Sequence, residues 1–215
     1  MQLFVPGPEG RLEAILHPAI GVGTPRAVAC VCHPHPAHGG NMHSTVAFRV
    51  ARGLQTAGVT CLRFNFRGVG KSEGTHSGER GPAGEEGDAS AALDWLQERH
   101  PGVPVWAAGF SFGSRTVFAL AKREERIERL LLIGFPLRAF DLPDVDRIAQ
   151  PTLFVWGEHD EFGTLADLRA AHPVLPEHFT LHVVAGDDHF FRPDTRSLES
   201  EVRFWADRQL GGPLS

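Results

Sequence analysis

A chain of 215 residues with a formal charge of −5 and a pI near 6.2 has room for one domain, and its charge disfavours nucleic acid and anionic membranes as partners. At this length roughly 70% of the unfolded surface is buried on folding, so the core needs no covalent or metal staple. Cys30, Cys32 and Cys61 fall in apolar runs and read as small buried hydrophobes, and with no apolar leader core and no run of membrane-spanning length the expected compartment is the cytoplasm.

Residues 2–5 and 11–17 read as an antiparallel edge pair, and residues 27–32 as the first core strand. A loop follows at 33–43. Val46, Val50 and Leu54 then recur at helical spacing behind Ser44, a serviceable N-cap. Residues 60–66 form the next strand, and 71–87 a Gly-rich loop. Ala89, Leu93 and Leu96 carry a helix that His100, Pro101 and Gly102 end. Strands follow at 103–108, 130–133, 153–156 and 181–184, with a helix at 114–122 after the first of them. The stretch from 135 to 150 is too short for a lid domain. Leu198, Val202 and Trp205 give a closing helix started near Asp194 and Ser197. Apolar strands alternating with helical periods predict one α/β domain over 1–215, a mostly parallel twisted sheet with helices on both faces.

Gly109, Phe110, Ser111, Phe112 and Gly113 stand between a strand and a helix. A serine at such a turn projects from the backbone where a base can reach it, and the following helix adds favourable partial charge. Gly70, Lys71, Ser72, Glu73 and Gly74 match the same pattern, but the loop composition after Ser72 offers no helix to anchor the turn. The same segment resembles the end of a phosphate-binding loop, yet Asn65 stands where that motif needs glycine.

A serine needs a base, and the base an acid. Asp160 follows the strand at 153–156, and His189 follows the strand at 181–184, so the chain order is serine, acid, histidine. Glu158 and Glu161 are alternative acids, and His159 an alternative base. The expected oxyanion donors are the backbone N–H groups of Phe112, next to the nucleophile, and of His35, because Pro34 and Pro36 in the same loop have none. Phe110, Phe135, Phe162 and Phe190 are candidates for the wall of an acyl pocket, with core packing as the other reading. His33, His35, His38 and His43 invite a metal, but they fit no helical pair and have no carboxylate or cysteine among them, so neither metal nor cofactor is expected.

His33, Pro34, His35 and Pro36 with Gly39, Gly40 and Met42, then Arg63, Phe64, Asn65, Phe66, Arg67, Gly68, Gly70 and Ser72, and finally Gly186, His189, Phe190 and Phe191, are similar to small bacterial serine hydrolases of the α/β-hydrolase superfamily, lidless relatives of dienelactone hydrolase. The resemblance covers about residues 27 to 210. It implies an α/β-hydrolase fold without a lid, an esterase-like activity, and roles for Ser111, Asp160, His189 and the N–H groups of Phe112 and His35. Dienelactone hydrolase itself has a cysteine at the elbow where this chain has Ser111, so its substrate is not carried over. The expected partner is a small ester, and the sequence says nothing of oligomeric state.

Overall fold

The computed structural model describes residues 2–78, 83–140, 144–145 and 148–214. Its elements run in the order β1 (Gln2–Gly7), β2 (Gly10–His17), β3 (Ala27–Cys32), α1 (Thr45–Thr56), β4 (Val59–Phe64), α2 (Ala83–Arg99), β5 (Val105–Phe110), α3 (Phe112–Ala121), β6 (Ile127–Ile133), β7 (Thr152–Gly157), α4 (Leu165–Ala171), β8 (Phe179–Val184) and α5 (Thr195–Gln209). The eight strands make one sheet in the order β1-β2-β4-β3-β5-β6-β7-β8. Only β1 and β2 run antiparallel to their neighbours, and β3 to β8 are parallel.

Strand alternation divides the core in two. Val28, Cys30 and Cys32 of β3 face α2 and α3, whereas Ala27, Ala29 and Val31 face α1 and α5. Strands covered on both faces have no polar side, which is why β3, β4, β5 and β7 are buried along their whole length. The three cysteines are free and buried, Cys30 and Cys32 on one face and Cys61 on the other. α1 and α5 pack so closely that a Cβ on Gly53 would sit 2.6 Å from the carbonyl oxygen of Glu199, so the small residue is what admits the contact.

Several boundaries differ from the expectation. β5 starts at Val105 because Pro104 has no N–H and Val103 N–H is spent on His100 O in a turn; it runs on to Phe110, which brings Ser111 to the strand end. β4 stops at Phe64: Asn65 N–H still donates to Glu13 O of β2, but its Oδ1 accepts the N–H of Met42, and Phe66 N–H donates to His33 Nε2. α2 begins at Ala83, inside the stretch read as loop. Glu85 and Glu86 in its first turn favour a helix N-terminus, and Gly84 admits the close approach of Ser77 and Arg67, where a Cβ would lie 2.2 Å from Ser77 Oγ and 2.8 Å from Arg67 Nη1. Among the described residues no helix is long and apolar enough to cross a membrane.

Candidate active site

The parallel strands end on one rim, and the loops that leave it carry the polar groups. Ser111 occupies the turn between β5 and α3 with φ 54° and ψ −117°, a conformation that side chains rarely adopt. Its N–H donates to Ile133 O at 2.9 Å, and Ser114 Oγ donates to its carbonyl at 2.6 Å, so the turn is pinned from both sides. Gly109 and Gly113 are required for space: a Cβ on the first would lie 2.1 Å from Gly113 O, and on the second 2.4 Å from Cys32 O.

His189, in the loop after β8, places Nε2 at 3.0 Å from Ser111 Oγ. Its Nδ1 lies 2.8 Å from Oδ2 of Asp160, in the loop after β7. With the carboxylate as acceptor, Nδ1 carries the proton and Nε2 presents its lone pair to the serine hydroxyl. The second oxygen of Asp160 accepts the N–H of Phe162 at 2.8 Å. Asp160 and His189 are buried. The rival groups stand elsewhere: Glu158 accepts the N–H of Gly186 at 2.8 Å, Glu161 is exposed, and the backbone N–H of His159 donates to Asp187 O. Ser72, the second motif serine, donates to Asn65 O at 2.7 Å and accepts from Glu13 N–H at 2.9 Å, tying β2 to the loop after β4.

A cavity of about 810 Å³ opens beside Ser111, lined by Pro34, His35, Asn41, Phe140, Phe162 and Phe190 among others. His35 and Phe112 both line it, with ring centres 4.8 Å apart. Phe112 opens α3, so its N–H is among the helix's orphan donors. Of the four phenylalanines proposed for the pocket wall, Phe162 and Phe190 line the cavity; Phe110 and Phe135 do not. Both are buried, Phe110 in the layer beneath α1 and α5 and Phe135 in the opposite layer, because strand-end residues that alternate inward become core.

Sequence reasoning missed the supporting glycines. Gly134, at φ 53°, lies where a Cβ would come 3.1 Å from the imidazole of His189, and one on Gly157 would meet Asp188 O at 2.3 Å. The histidine-rich loop is held by its first member. His33 Nδ1 donates to Pro34 O at 2.7 Å and Nε2 accepts Phe66 N–H at 3.1 Å, and burial pushes its pKa down to about 4. Met42 N–H donates to Asn65 Oδ1, and Arg67 forms a buried pair with Asp88. These bonds tie the chain around Asn65 to the loop after β3 and Arg67 to α2. His76 lies 2.6 Å from Oε1 of buried Glu85. Burial raises the pKa of that carboxylate, but the N–H of Ser77 and the His76 ring outweigh it and hold the group below its ordinary value. Among the described residues no group of three or more histidines, cysteines and carboxylates is arranged to hold a metal ion.

Residues 27–209 match the family model for the alpha/beta hydrolase domain. The chain belongs to the alpha/beta hydrolase family. This alpha/beta hydrolase is 33% identical over 210 residues to the uncharacterized protein RP471 of Rickettsia prowazekii, covering 94% of this chain and 86% of that one. It is also similar to XC6422 from Xanthomonas campestris, described as an α/β serine hydrolase without a lid, at 32% identity and TM-score 0.85 over 97% and 94% of the two chains. A dienelactone hydrolase from Anabaena variabilis, at 19% identity and TM-score 0.77 over 95% of each chain, shares the fold.

Proposed function

We propose that this alpha/beta hydrolase cleaves a small carboxylic ester through an acyl-enzyme on Ser111, with His189 as general base and acid and Asp160 as the acid that orients it. The observation that carries the reading is the unbroken hydrogen-bond chain from Ser111 Oγ through His189 to Asp160, at 3.0 and 2.8 Å. Family membership supports it independently.

The chemistry follows from which atom holds each proton. His189 Nε2 removes the hydroxyl proton as Oγ attacks the ester carbonyl, and Asp160 steadies the imidazolium through Nδ1–H. The N–H groups of Phe112 and His35 take the role of donors to the tetrahedral oxyanion, each such donor being worth about 3 to 4 kcal/mol in a transition state. The imidazolium then protonates the departing alcohol, and a water repeats the sequence on the serine ester.

A fluorophosphonate probe should label the wild-type protein on Ser111 and leave Ser111→Ala unlabelled, while ester turnover falls by about 10⁶-fold in that variant. Turnover retained by Ser111→Ala moves the nucleophile elsewhere, and a wild-type protein inert to both probe and esters is a binding scaffold. Esters, thioesters and amides of one short acid, compared by kcat/KM, rank the bond types; the ester is expected first, and acetyl or butyryl esters ahead of palmitoyl ones.

A further inference from the structure

The proton that His189 takes from Ser111 has one destination in acylation, the oxygen of the leaving alcohol. That oxygen therefore comes within hydrogen-bond reach of His189 Nε2, and whatever borders the imidazole borders the alcohol. Two rings do so from the cavity side. The ring centres of Phe162 and Phe190 lie 4.6 and 5.3 Å from that of His189. Phe110 also packs on His189, at 5.0 Å, but it is buried beneath the site and presents no face to a ligand. Phe162 and Phe190 line the cavity and are 41% and 44% exposed.

Both rings are positioned by the loops that position the triad. Phe162 lies two residues past Asp160 and donates its N–H to Asp160 Oδ1. Phe190 directly follows His189; its N–H donates to Asp188 Oδ1 at 2.9 Å, and Asp188 also binds Arg192, whose guanidinium lies 5.1 Å from the Phe190 ring centre. A ring fixed at its backbone loses little freedom when a ligand covers it. Flat aromatic groups gain most from such faces, through burial and offset or edge contacts together. Phe112 and Phe140 line the cavity too, Phe112 against the ring of His35 and Phe140 under the Arg115 guanidinium, so Phe162 and Phe190 are the lining phenylalanines that pack on the imidazole.

We propose that Phe162 and Phe190 form a leaving-group clamp that selects esters of flat aromatic alcohols, a step of specificity that rests on hydrolysis at Ser111. In acylation the serine ester forms, the ester C–O bond breaks, and the His189 proton ends on the alcohol oxygen, beside the imidazole that both rings border. Once the alcohol has left, the clamp is empty, so deacylation does not sense it.

The test uses benzyl and ethyl butyrate, which share one acyl-enzyme and differ only in the alcohol. Phe162→Leu and Phe190→Leu, which keep apolar bulk and remove the ring face, together should lower kcat/KM for benzyl butyrate by about 10- to 100-fold and for ethyl butyrate by less than about 3-fold. Decay of the butyryl-enzyme, followed by intact mass in a single turnover, should keep its rate. Equal losses on the two esters, or a changed decay rate with the benzyl preference intact, overturn the clamp. A wild-type enzyme that acylates without favouring the benzyl ester overturns it as well. If neither ester yields a butyryl adduct on Ser111, the hydrolase reading itself falls.

Discussion

Ser111 holds a backbone conformation that costs an ordinary residue on the order of 1–3 kcal/mol, and the two glycines around it lie too close to neighbouring backbone to carry a side chain. The strain persists because bonds to Ile133 and Ser114 over-determine the turn. Gly113→Ala would force a methyl against the carbonyls of Cys32 and His33, where no flexible side chain can give way. We expect a loss of stability above about 2 kcal/mol by urea unfolding, with slower fluorophosphonate labelling as the elbow shifts. Asp160→Asn acts differently. Phe162 N–H needs an acceptor at one amide position, which turns the Asn NH₂ toward His189 Nδ1 and moves the imidazole proton to Nε2. Such a histidine cannot take the serine proton, and kcat should fall by about 10⁴-fold with folding stability little changed, measurable by steady-state kinetics beside thermal melting.

Among the elements, the central parallel strands were legible because burial on both faces leaves continuous apolar runs; Asp160 follows one of them, β7, by a few residues, and His189 follows β8, a half-buried edge strand read from its shorter apolar stretch. β6 was read short, since Glu128 and Arg129 interrupt its apolar pattern at the entry end. α2 hid its first turn behind glycines, of which Gly84 makes room for Ser77 and Arg67. Pairings such as His76 with Glu85, or Ser72 with Glu13, depend on how loops close and leave no periodicity to read. His33 shows what one of these junctions contributes, because it joins the end of β3 to the chain leaving β4. With a folded pKa of about 4 against 6.5 in the free side chain, the native state binds fewer protons between those values. The stability due to neutral His33 is therefore complete above pH 6.5 and falls as the pH drops toward 4, by up to about 3 kcal/mol. His17, pushed down to about 4 by burial and by Arg63, adds to the same window. The urea midpoint of the wild-type protein should drop between pH 7 and pH 5, and His33→Gln, less stable at both, should drop less.

For the whole molecule, the open mouth of the cavity among the described residues bears on the kinetics expected of the proposed hydrolase. The cavity beside Ser111 is open among the described residues, so none of them has to be displaced at an oil–water interface. Rate against substrate concentration should stay hyperbolic through the critical micelle concentration of a short-chain ester, and a jump there would reveal a moving cover. Ser111, His189 and Asp160 all stand at the carboxyl rim of the sheet, one strand length, about 20 Å, from the opposite turns. Those turns, such as residues 100–104 with Gly102 in open space, carry no part of the proposed chemistry. A peptide tag or an attachment point for a solid support spliced there would leave turnover unchanged and present the working mouth to the solution, an orientation that the two ends of one sheet decide in advance.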